Sequence, residues 1–126
     1  MARTMRMPTS SELPSQEVGS FVELLFELYR QARRPPLREI SAEAGRSDAD
    51  GTASTETIRR MLRGITIPSN WGTVEAVLLG LCKIAGRNPD ERYDSNGPEL
   101  TLRGELEWRW NRALDHPGEH RSAAPY

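Results

Sequence analysis

Apolar residues recur along the chain at helical rather than strand spacing. Val18, Phe21, Leu24, Leu25, Leu28 and Ala32 fall three or four positions apart, which predicts a helix from Ser15 or Gln16 to Arg34, where Pro35-Pro36 ends it. Val22, Phe26 and Tyr29 widen its apolar surface beyond one stripe, so this helix is expected to meet two neighbours or a second subunit. A shorter helix is expected over Leu37 to Ala44. Leu37, Ile40, Ser41 and Ala44 would face inward, Arg38, Glu39 and Glu43 outward, and Gly45 would stop it. Arg46 to Thr52 reads as a loop because Asp and Gly supply turn chemistry.

A third helix follows at once. The Ser54 hydroxyl suits the orphan N–H groups at its start, and Gly64 suits its end. Trp71, Val74, Val77, Leu78, Leu81 and Ala85 predict a fourth helix, capped by Ser69 or Asn70 and stopped by Gly86. After a polar connection, Leu102, Leu106, Trp110 and Ala113 predict a fifth from Glu99 to Asp115. No run alternates long enough to build a sheet, and no repeat is present. The expectation is an all-α fold: one five-helix domain over residues 16–115, containing a helix-turn-helix, between a flexible arm at 1–15 and a flexible tail at 116–126.

Length and composition agree with this. A chain of 126 residues, 37% apolar and 28% charged, is sized for one core. No run nears the roughly 18 apolar residues of a membrane span. The stretch after Arg6 meets Pro8-Thr9-Ser10-Ser11 where an export signal needs apolar residues. The single Cys82 cannot form an internal disulfide, which fits a reducing cytoplasm.

The formal charge of -1 gives no overall steering toward nucleic acid, although every cationic residue but Lys83 is Arg, the planar fork that matches phosphate and guanine edges. Those charges matter most on the third helix. On a helical wheel Ile58, Met61 and Leu62 share one side, while Glu56, Arg59, Arg60 and Arg63 spread over the other. A short helix, a turn and a capped basic helix are what major-groove reading requires. Ser54, Thr55 and Glu56 would lie near the leading end, Arg59 or Arg60 would reach guanine O6 and N7, and Arg63 would meet a phosphate. Arg38, outward on the preceding helix, joins this set. The competing reading is a solvated face on which Glu56 pairs with Arg60 at i,i+4.

Three stretches carry a resemblance: Leu37-Arg-Glu-Ile-Ser-Ala-Glu-Ala-Gly45, Ser54-Thr-Glu-Thr-Ile-Arg-Arg-Met-Leu-Arg-Gly64, and Ile67-Pro68 with Trp71, Val74 and Val77-Leu-Leu-Gly-Leu81. In order and spacing the chain from Val18 to Asp115 resembles bacterial transcription regulators of the Cro-repressor and xenobiotic-response-element (XRE) helix-turn-helix type. The resemblance implies a sequence-specific duplex DNA-binding regulator, cytoplasmic and nucleoid-associated when bound. Reading paired half-sites would make it a homodimer. The turn from Arg46 to Thr52 is longer than the motif's three or four residues. Ser41 replaces a small apolar residue at the helix crossing and Ala53 a bulkier one before the cap, and both changes are expected to weaken packing.

The remaining candidates are weaker. Trp71 and Trp110 read as core, whereas Trp108 points off the apolar stripe and, with Val22 and Phe26, is a candidate for the dimer interface. Cys82 reads as a small buried thiol. His116 and His120 have helical metal-ligand spacing, but Pro117-Gly118 separates them and no third ligand is near, so no metal is expected. No phosphate-cradling loop, nucleophile elbow or convergent set of titratable groups occurs, so neither enzyme activity nor a cofactor is expected. The alternative to DNA binding is a protein-interaction adaptor that keeps the helical fold and binds a protein partner.

Overall fold

The Ser15 hydroxyl accepts the Val18 backbone N–H at 3.1 Å and so starts helix α1, Gln16–Gln31. The computed structural model, which describes residues 5–93 and 100–118, places α1 at the centre. Val18, Phe21, Val22, Leu24, Leu25, Phe26, Leu28 and Tyr29 are all buried along it. So wide an apolar surface needs partners on several sides, and α3, α4, α5 and the N-terminal segment supply them within the same chain. Val22 and Phe26 are therefore core residues at 0% exposure, not the dimer contacts expected of them. α1 also ends short of Arg34. Arg33 and Arg34 take left-handed backbone, φ 67° and 49°, and return their N–H groups to the Arg30 and Tyr29 carbonyls at 2.9 Å each. Pro35 disfavours helical backbone at Arg34, the residue before it.

Helix α2, Leu37–Arg46, passes through Gly45 rather than stopping there. Its end is set by Ser47, whose backbone N–H and hydroxyl both donate to the Ala44 carbonyl, at 3.2 and 2.7 Å. Helix α4, Trp71–Ala85, has Asn70 as its N-cap and Gly86 at φ 71° as its C-cap. α2 and α4 form the most extensive helix pair. They can approach closely because a Cβ on Gly80 would stand only 3.0 Å from the Ile40 carbonyl oxygen and 3.1 Å from the Ala44 nitrogen.

Between them lies α3, Thr55–Leu62, closed by Gly64 at φ 70°. Helix α5, Leu102–Asp115, is capped by the Thr101 hydroxyl and packs chiefly along α1. The buried Glu105 carboxylate accepts from Arg109 at 2.8 Å, and Arg109 donates in turn to the Ser20 carbonyl at 2.9 Å, tying the two helices by a satisfied polar link. Expectation placed the start of α5 at Glu99, which lies outside the described residues. A small antiparallel pair precedes α5: β1, Arg92–Tyr93, faces β2, Leu100–Thr101. Two residues per strand are too few to show alternation in a sequence.

The fold is thus mostly α, with five α-helices in one domain among the described residues. Residues 5–15, read as part of a flexible arm, lie against it. Met5, Met7 and Leu13 pack on the core, Ser10–Glu12 forms a 3-10 turn, and the Arg34 guanidinium donates to the Met5 carbonyl. Among the described residues no helix is long and apolar enough to cross a membrane.

Candidate nucleic-acid interface

Helix α3 divides cleanly. Ile58, Met61 and Leu62 are buried at 0% exposure, while Ser54, Thr55, Glu56 and Arg60 are exposed and Arg59 and Arg63 half-buried. The wheel therefore assigned both faces correctly. At the helix start the Ser54 hydroxyl accepts the Thr57 N–H at 3.1 Å and lies 3.0 Å from the Thr57 hydroxyl. Ser54 is a working cap, with its oxygen already engaged. Thr55 follows in the first turn, beside the positive end of the helix dipole.

What presents this helix is a tethered loop. Residues 47–54 connect α2 to α3 and are held at two points. The Ser41 hydroxyl donates to the carbonyl of Ala53 at 2.7 Å, and Ala53 itself is buried. Gly51 meets the first turn of α4, where an added Cβ would stand 2.4 Å from the Gly72 carbonyl carbon and 2.5 Å from the Thr73 nitrogen. Ser41 and Ala53 thus belong to one contact rather than being two separate losses of packing. The turn is long, but its last residues are pinned to α2 and α4. Asp48 and Asp50 stay exposed on it. Beyond α3 the connection to α4 is held from α5, where the Trp110 indole N–H donates to the Pro68 carbonyl at 2.7 Å and its ring lies 5.4 Å from that of Trp71.

The charges on the exposed face are coupled. Arg59 donates from Nε to one Glu56 oxygen at 3.0 Å and from Nη2 to the other at 2.7 Å, and Arg60 Nε donates to that second oxygen at 2.8 Å. These hydrogen bonds from Arg59 and then Arg60 hold the Glu56 carboxyl down to about 2, and the same contact raises Arg59 further. Sequence spacing anticipated the pair with Arg60, but the fork with Arg59 needed rotamers to be seen. Arg63, the C-cap residue, sits near Glu12 of the N-terminal turn. That carboxyl is lowered chiefly by the Thr9 backbone N–H, with Arg6 and Arg63 adding to it. Leu13 covers Gly64 beside it. Arg38 is exposed in the first turn of α2 and makes no ion pair among the described residues.

Other candidates separate from this face. Trp108 is 49% exposed on α5, with the Arg112 guanidinium 5.3 Å over its ring. Cys82 is buried, and burial pushes its thiol up to about 11. His120 lies outside the described residues, and among those described no group of three or more His, Cys, Asp or Glu is placed to hold a metal. A cleft of about 310 Å³ between Ile65–Ile67 and the end of α5 is lined by Pro14, Val18 and Leu114 as well, with no titratable side chain. Comparison of the chain with family models, with curated proteins and with solved structures finds no match.

Proposed function

We propose that the chain is a duplex DNA-binding regulator that lays α3 in the major groove, as its resemblance to XRE-type regulators implies. One observation carries the reading. α3 buries one face completely and turns Arg59, Arg60 and Thr55 outward from a capped start, on a loop pinned by Ser41 and Gly51. A helix so held keeps its orientation when it meets a rigid duplex. In this reading Arg59 and Arg60 reach base edges, Arg63 and Arg38 meet phosphates, and Thr55 lies at the leading end. Two copies acting as a cytoplasmic homodimer would read half-sites about one helical turn apart, roughly 34 Å. Trp108, an exposed aromatic on α5, is available to such a contact.

The test is a titration against a pool of random duplexes at low and moderate salt, with sequencing of the retained fraction. Enrichment of a palindrome, a steep fall of affinity with salt, and loss of both in the double variant Arg59→Ala, Arg60→Ala are the expected results. No retention at low salt overturns the proposal. The adaptor reading is favoured by one feature, the Glu56 carboxylate that already pairs with two of the three arginines of the face. Salt-independent capture of a protein, with no duplex retained, would establish it instead.

A further inference from the structure

The same carboxylate has a second use, which rests on the DNA-binding reading. A guanidinium carries five N–H donors. Glu56 takes two from Arg59, both along the Nε–Nη2 side, with its two oxygens in parallel. That is the fork geometry which fixes the plane of the group as well as its position. The two N–H bonds of Nη1 and the second of Nη2 remain, and together they form the end-on edge that matches guanine O6 and N7. Arg60 gives the clamp only its Nε, so its terminal donors also stay open. Arg59 and Glu56 are 41% and 55% exposed at their side chains, so the clamp stands on the surface and not in the core. An unpaired arginine on the same turn would swing among rotamers and meet phosphates as readily as bases.

We propose that Glu56 is a positioning residue for guanine readout: it sets the Arg59 guanidinium end-on to the base edge and, as an anion beside the phosphates, disfavours binding to duplexes that offer no guanine there. Base selectivity then belongs to the Glu56–Arg59 pair and not to Arg59 alone.

The experiment uses the full chain, the duplex enriched by selection, a scrambled duplex of equal length, and the enriched duplex with 7-deazaguanine in place of guanine, which lacks N7. In Glu56→Gln the affinity for the scrambled duplex is expected to rise a few-fold, because one anion near the phosphates is gone. The preference for the enriched duplex over the scrambled one is expected to fall by about 5- to 150-fold, the span of one bidentate base contact. The 7-deaza substitution should weaken the wild type and leave Glu56→Gln nearly unchanged. Arg59→Lys, which keeps the charge but cannot form the fork, should lose preference in the same way while keeping the wild-type salt dependence. Preference within twofold of wild type in Glu56→Gln overturns this proposal and leaves DNA binding standing. A wild type that retains no duplex overturns both.

Discussion

Replacing Ser41 by Ala removes a single oxygen, and the sign of the effect separates two accounts of that position. If the serine merely stood where a small apolar side chain packs better, Ala would be neutral or stabilising. The structure instead gives the hydroxyl a partner, the carbonyl of buried Ala53 at 2.7 Å. Removing the donor strands that carbonyl, which costs about 1–3 kcal/mol, and the better helix propensity of Ala returns about 0.5 kcal/mol. The net is a loss of about 1.5 kcal/mol. With a urea dependence of about 1.5 kcal/mol per M, the unfolding midpoint should fall by about 1 M. Chemical denaturation followed by Trp fluorescence reads this, since Trp110 is buried with its ring 5.4 Å from that of Trp71, and unfolding exposes both. A midpoint equal to or above that of the wild type would refute the reasoning. The duplex binding proposed for α3 should weaken in the same variant, because Ala53 immediately precedes the cap of that helix.

Three further outcomes are expected. Gly51→Ala places a Cβ within 2.6 Å of backbone in the first turn of α4, so the loop must move; a loss of about 1–3 kcal/mol in urea is expected, and an unchanged midpoint would show the contact to be slack. Arg33→Gly should raise stability by about 0.5–1 kcal/mol, since glycine holds a φ of 67° without the steric cost that arginine bears, with a lower melting temperature as the contrary result. For Cys82 the folded thiol sits at about 11 against an ordinary 9.0, because burial disfavours the thiolate. Between those values the unfolded chain sheds a proton that the folded chain keeps, so stability is full below about pH 9 and falls as pH rises toward 11. The urea midpoint should therefore drop more from pH 8 to pH 10 in the wild type than in Cys82→Ala, and equal drops would refute the assignment.

Much of this architecture is local chemistry and was legible as such. The bounds of α3 follow from Ser54 and Gly64, because capping by a hydroxyl and closure by a positive φ each depend on a few adjacent residues. Asn70 and Gly86 bound α4 for the same reasons. The division of α3 into an apolar and a charged face follows from helical period alone. Periodicity fails where the question is which neighbour a face meets. Val22 and Phe26 announce an apolar surface on α1, but whether another helix or another subunit covers it depends on the path of the whole chain, and three helices of the same chain do.

Contacts distant in sequence were hidden for a related reason. Ser41 and Ala53 are twelve positions apart, and only the crossing of α2 with the approach to α3 makes a polar residue fit a position that pattern assigns to an apolar one. Residues 5–15 lack any period, so nothing local foretells that Met5, Met7 and Leu13 find apolar sites on the folded body. Sequence by itself therefore determined that these helices form, the caps of α3 and α4, and the charged face of α3, all set by neighbours within about a turn. Tertiary structure decided what α1 is buried against, how the long turn is pinned, and which donors Glu56 leaves to Arg59, because each depends on atoms whose positions only the packed chain specifies.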